Sequence, residues 1–137
     1  MHVRPIKGFE AFSDAYRSGR RVSAGLLLLS VTLRSRAPRA VDPGVVLIGV
    51  TVSKRMAKKA VVRSRIRRLL REALRFSIRD HASEIERATI ATIVAVVRSA
   101  PSHPALITLE DIQPLVDQLL LRVLGECNTL STDDRPS

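Results

Sequence analysis

Apolar residues along this chain switch between helical and strand-like spacing, and the switches mark out six elements. Phe9, Phe12 and Tyr16 recur at three-and-four spacing over Phe9–Ser18, and Gly19 follows as a helix-ending residue. Residues 22–33 are dominated by a leucine run bounded by Gly19-Arg20-Arg21 and by the proline-containing segment RSRAPRAVDPG. Those flanks make the run a strand, long enough to bend into two, followed by a loop. Residues 45–52 and 89–97 are continuous apolar stretches rich in β-branched residues, the pattern of buried strands. Between them a 3.6-residue period holds over 62–76 and frays on through Ile85. After a proline loop at 99–104, Thr108-Leu-Glu-Asp111 opens a last amphipathic helix. Pro114 places its regular part a turn before Leu115, and Gly125 marks its end. The order α-β-β-α-β-α predicts an α+β fold with a small sheet of three to four strands, in a single domain spanning 9–125. Residues 1–8 lack an apolar period and are expected to be a basic flexible arm, and 126–137 a disordered polar tail.

Charge changes this picture most between residues 54 and 79, where eleven basic residues face one acid, Glu72. That local excess equals the formal charge of the whole 137-residue chain, +10. At about 100° per residue, Arg63, Arg67, Arg71 and Arg75 form one advancing stripe with Arg68 at its flank. Val62, Ile66, Leu69, Leu70, Ala73 and Phe76 fall on the opposite side, the face expected to enter the core. A solvated helix face ordinarily mixes signs at i,i+4, whereas here Glu72 alone offsets the arginines. The stripe therefore reads as a polyanion-binding face. Guanidinium forks match phosphate oxygens two at a time and stay charged, which suits nucleic acid.

Other chemistry is sparse. His2, His81 and His103 fall in the arm, a helix tail and a proline loop, without a second ligand at metal spacing, and no acid, base and nucleophile converge on one motif. No protein-borne active site and no metal site are expected. Cys127, the only cysteine, reads as a small apolar filler near a helix end. No apolar run approaches the ~20 residues of a membrane span, and no apolar signal segment begins near residue 1, so a cytoplasmic protein is expected. The chain has only four aromatic rings. Phe9 and Phe76 read as core. Tyr16, beside Arg17, Arg20 and Arg21, has two open readings, core packing or stacking on an unpaired base.

The segments Gly49-Val-Thr-Val-Ser-Lys54, Ala60-Val-Val-Arg-Ser-Arg65 and Ile66-Arg-Arg-Leu-Leu-Arg-Glu-Ala-Leu-Arg75 resemble the signature of the bacterial ribonuclease P protein subunit. In that family a strand ending V-S-K-K leads through a basic connection to A-V-x-R-N-R and I-K-R-L-x-R-E. Residues 12–19 are similar to its opening helix, F-x-x-x-[FY]-x-x-G. The resemblance covers residues 4–124 and is specific over 49–75. It implies a β-α-β unit with an unusual left-handed crossover. It also implies a non-catalytic subunit of a ribonucleoprotein endoribonuclease, whose RNA cleaves the 5′ leader from precursor tRNA using Mg²⁺. The implied partners are that catalytic RNA and precursor tRNA, with no membrane and no DNA.

Carried over by position, Lys54, Arg55, Lys58, Lys59, Arg63, Ser64, Arg65, Arg67, Arg68 and Arg71 would hold the catalytic RNA. Phe12, Tyr16, Arg17, Arg20 and Arg21 would line a cleft for the single-stranded leader. Two departures stand out. Ser64 replaces the family asparagine and loses an amide that both donates and accepts. Ser30 falls near where some members carry an aromatic on the first long strand, so leader stacking would be weaker here. The alternative function is a ribosomal or other structural RNA-binding protein of related fold.

Overall fold

A computed structural model describes residues 1–133, with side chains described through Glu126. The elements are β1 (His2–Pro5), α1 (Phe9–Ser18), β2 (Arg20–Ala24), β3 (Leu27–Leu33), β4 (Val45–Thr51), α2 (Ala60–Asp80), α3 (Ala82–Ala88), β5 (Ile90–Val97) and α4 (Leu109–Asp133). Short 3₁₀ turns occupy Arg34–Arg36 and Pro104–Leu106. The five strands form one sheet in the order β1-β4-β5-β3-β2. β4 lies parallel to both β1 and β5, while β3 is antiparallel to β5 and β2. This is the α+β class expected from the sequence, with two strands more than the three visible there.

The leucine run breaks into the hairpin β2–β3 because Gly25 supplies the positive φ, +56°, that the turn requires. The other added strand corrects the expected flexible arm at residues 1–8. His2 donates its backbone N–H to the Gly44 carbonyl (2.7 Å) and Ile6 to the Ile48 carbonyl (2.8 Å). Pro5 has the opposite parity along β1, so its missing N–H falls on the outer side of this edge strand, where the ladder needs no donor.

Strand alternation sorts the sheet into two faces. Leu27, Leu29, Val31, Val46, Ile48, Ile93, Ala95 and Val97 point to one core with Ile66, Leu70, Leu74 and Ile78 of α2 and Ile112, Val116, Leu119 and Val123 of α4. Each of the large side chains, buried in full, contributes roughly 1.5–3 kcal/mol. The opposite face carries α1 and, beside it, the Ala37–Val41 segment, so β5, apolar on both sides, is covered on both.

α2 and α4 run parallel across the core face. Gln113 Nε2 donates to the Ala73 carbonyl (3.2 Å) and to Ser77 Oγ (2.8 Å), and Ser77 Oγ in turn donates to Asp117. A polar cluster bridging two helices sets their register. It also explains a correction. The buried stripe of α2 runs through Ile66, Leu70, Ala73, Leu74, Ser77 and Ile78, which turns Phe76 outward to 60% exposure rather than into the core. Phe9 is corrected likewise: it stands 85% exposed at the start of α1, because Ala15 rather than Phe9 faces the sheet.

Two helix ends differ from expectation. Thr108 Oγ1 and its backbone N–H both donate to Asp111 Oδ2, so α4 starts at Leu109 and accommodates Pro114 in its second turn, on the exposed side. Gly125 is not the stop: it stays within α4, which runs on to Asp133, so 126–133 is helix rather than disordered tail. The remainder of that tail, 134–137, and the Cys127 side chain lie outside the described residues.

Gly19 ends α1 for a reason other than left-handed backbone, since its φ is −81°. A Cβ there would collide with Ser30 Oγ and come within 3.0 Å of the Ser30 and Val31 backbone. Glycine thus lets the end of α1 lie directly against β3. Gly19→Ala is expected to destabilise the fold by roughly 1–3 kcal/mol, which chemical denaturation measures.

Candidate nucleic-acid interface

The Ser53–Ala60 connection is a compact turn rather than a loose basic loop. The Ser53 carbonyl accepts from the Met56 N–H (3.0 Å) and the Ala57 N–H (3.3 Å), and the Ala57 side chain is buried. Arg63 Nη1 donates to the carbonyls of Ala57 (2.9 Å) and Lys58 (2.8 Å), tying the first turn of α2 back to the connection. Held this way, Lys54, Arg55, Lys58 and Lys59 all point outward and exposed. α2 begins without a side-chain cap and without an acid in its first turn. Its positive dipole end therefore adds to the lysine charges instead of being offset by an anion from the chain.

Along α2, Ser64, Arg68, Arg71 and Arg75 are exposed, while Arg63, Arg65 and Arg67 are half-buried. Arg65 donates to the Ala105 carbonyl (3.0 Å), and Arg67 donates to Ser64 Oγ (3.1 Å). The ten residues named for catalytic-RNA contact thus form one continuous surface on α2 and its N-terminal connection. Arg63 and Arg65 partly stabilise the chain itself, and the Ser64 hydroxyl orients Arg67. Ion pairs among the described residues involve Arg20, Arg39 and His81 only. The stripe is left without internal neutralisation.

The second surface lies on the other face of the sheet. Ser30 Oγ donates to the Tyr16 carbonyl (2.8 Å) and Thr32 Oγ1 to the Ala15 carbonyl (3.1 Å), fixing the C-terminal half of α1 over β3. Phe12 crosses β4 at Gly49, where a Cβ would come within 2.9 Å of its ring. α1 covers only part of this face. Ser23, Leu28, Thr51 and Val96 share it by strand parity and remain half-buried, an open floor of sheet beside the helix where the sequence places the leader cleft. Lys54 and Arg55 follow directly from the β4 end of that floor.

Phe12 and Tyr16 are half-buried, on the flank of α1 rather than in the core. The Arg21 guanidinium sits 4.4 Å from the Tyr16 ring centroid, a cation–π contact that occupies one ring face. The other residues named for the cleft divide. Arg17 is exposed and, by helical position, on the outer side of α1. Arg20 lies on the opposite face of the sheet, where its Nε is 2.7 Å from the Glu126 carboxylate of α4. Strand parity separates it from Arg21, and adjacency in sequence conceals that. Sequence reasoning missed Ser30 and Gly49 as determinants of where α1 sits. The only signal for either was a small residue inside an apolar strand.

Among the described residues no helix is long and apolar enough to cross a membrane, and no cluster of three or more His, Cys, Asp or Glu side chains could hold a metal ion.

Fold and charge together define a small basic α+β protein with a cationic helix on one face of its sheet and a part-covered cleft on the other. The family model for Ribonuclease P matches residues 3–119, and the chain belongs to that family. Similar proteins include the "Ribonuclease P protein component" of Synechococcus sp. (strain RCC307), 39% identical over 72 residues, or 50% of this chain and 57% of that one. The component of the same name from Microcystis aeruginosa (strain NIES-843 / IAM M-2473) is 34% identical over 73 residues, 53% of this chain and 58% of its own length. The chain thus matches less than three fifths of the length of each. Among solved structures, the Staphylococcus aureus RNase P protein superposes with a TM-score of 0.58 at 22% identity, covering 87% of this chain and 94% of that one. A Staphylococcus aureus RNase P protein mutant with defective mRNA degradation activity superposes with a TM-score of 0.57 at 22% identity, over 87% and 86%. These structures share the fold.

Proposed function

We propose that this chain is the RNA-binding, non-catalytic protein subunit of ribonuclease P in the cytoplasm. It binds the catalytic RNA through α2 and its connection, and the 5′ leader of precursor tRNA through the α1 cleft. The observation that supports this most is the unneutralised cationic surface of α2, joined by one short rigid connection to the mouth of the cleft on the other side of the sheet. A polyanion on α2 relieves repulsion that the chain leaves unbalanced, and a structured RNA supplies phosphates at that density. Phosphate contacts of this kind fix orientation without reading sequence. The cleft meets unpaired bases by stacking, so its contribution depends on a leader being present.

Catalysis is assigned to the RNA. The Mg²⁺ that the resemblance implies is assigned to the RNA-borne reaction, and no step is routed through the protein. The protein's part is to orient and retain the precursor. Protein freed of RNA is expected to leave precursor tRNA uncut, while protein recombined with its RNA cleaves at the mature 5′ end. Cleavage by RNA-free protein that a point substitution in the chain abolishes would overturn the assignment.

A further inference from the structure

Phe9 is the most exposed large apolar side chain among the described residues, at 85%, and nothing in the fold requires a phenylalanine there. It does not belong to a frayed end. β1 is hydrogen-bonded to β4, the ladder continues through Ile6, and the Phe12 N–H donates to the Gly8 carbonyl (3.1 Å), closing the first turn of α1. Phe9 is therefore held in place and still left uncovered.

Its position is not arbitrary. Seven residues along a helix return to nearly the same angle, so Phe9 shares with Tyr16 the flank of α1 that borders the cleft, with Phe12 between them and closer to the sheet. Tyr16 lies over β3, Phe12 over β4 at Gly49, and Phe9, one turn earlier, at the β1 side. The three rings thus form a row across the sheet about 10 Å long, taking 1.5 Å per helical residue. Cations stand at both ends. Arg21 lies against Tyr16, while Arg4 shares the α1 face through its register with Leu47 and Lys7 stands exposed beside Gly8. Unpaired nucleic acid calls for such a pattern, ring faces for successive bases and cations for the backbone between them.

We propose that Phe9 is a third stacking platform of this cleft, extending its hold on a single-stranded 5′ leader to the β1 edge of the sheet. The inference rests on the reading of the cleft as a leader site and adds the residue that sets how much leader is held. Phe9 makes the affinity of the holoenzyme for precursor tRNA depend on leader length beyond what Phe12 and Tyr16 reach.

The test uses holoenzyme reconstituted with the catalytic RNA and a series of precursor tRNAs whose leaders lengthen one nucleotide at a time. With wild-type protein, affinity rises in steps and then levels off. Phe9→Ala is expected to remove the outermost step, lowering affinity for long leaders about 5- to 100-fold while leaving short leaders and mature tRNA unchanged. Phe9→Tyr restores the step, and Phe9→Leu, apolar without a ring face, does not. The melting temperature stays at the wild-type value, because the ring buries nothing. A 2-aminopurine placed at the leader nucleotide of that step is quenched by wild-type holoenzyme and not by the Phe9→Ala form. Wild-type affinity at every leader length in Phe9→Ala, or an equal loss for mature tRNA, would overturn the proposal. Tyr16→Ala in the same series separates the two levels. If its loss depends on the leader and that of Phe9→Ala does not, the third platform alone fails. If neither does, the cleft reading fails with it.

Discussion

Replacing Arg68 and Arg71 together by alanine is expected to weaken binding to the catalytic RNA by one to two powers of ten at moderate salt. A hydrogen bond to a charged group contributes a net of roughly 1.5–3 kcal/mol. Solvent and salt screening at these exposed positions brings each contact to about the low end of that range or below it. The more specific signature is the salt dependence. Loss of two phosphate contacts lowers the slope of log affinity against log salt concentration by up to about two units. Both side chains are exposed and lie away from the core stripe of α2, so the fold is retained. Thermal stability without RNA stays level or rises as like-charge repulsion falls. Arg63 is an unsuitable probe for the same question. Its guanidinium holds the Ala57 and Lys58 carbonyls, so its loss loosens the connection as well as the RNA contact. An unchanged salt slope in the Arg68/Arg71 double variant would return the stripe to the status of a solvated face.

The stripe was legible in the sequence because helical period and charge are both one-dimensional. Seven arginines at defined spacing on a helix with an apolar opposite face, preceded by four cations in the connection, allow few arrangements. The runs that became β4 and β5 were legible for a related reason: strands covered on both faces must be apolar throughout. β1 was not, because four residues including a proline carry no period and gain strand geometry only from pairing with β4. Phe76 was misplaced because helical angle assigns a face only when the neighbouring element is known. α4, docked through Gln113 and Asp117 onto Ser77, rotated the buried stripe away from that ring. Arg20 and Arg21 show the same limit within a strand. Parity separates them cleanly, but which parity faces the cleft depends on where α1 docks, and Ser30 and Gly19 set that.

Tyr16→Ala should separate precursor from mature tRNA. The structure narrows the two readings left open by the sequence: the ring is half-buried on the cleft flank, and Arg21 covers one of its faces. The contact that seats this part of α1 comes from the Tyr16 main-chain carbonyl to Ser30 Oγ, which alanine preserves. The substitution therefore removes the ring and keeps the helix in place, with a stability loss of about 1 kcal/mol or less from the exposed cation–π pair. If the free ring face stacks on a leader base, holoenzyme affinity for precursor tRNA with a leader of several nucleotides falls about 5- to 100-fold, and affinity for mature tRNA hardly moves. Arg21→Ala tests the same pair from the other side: it frees the covered face and removes a cation, so it reduces the salt dependence of leader binding and retains the stacking. If Tyr16 serves packing instead, its variant loses several degrees of melting temperature and binds both RNAs equally less well. Measuring melting temperature and both affinities on the one variant decides between these outcomes, and parallel loss for precursor and mature tRNA removes Tyr16 from the leader site.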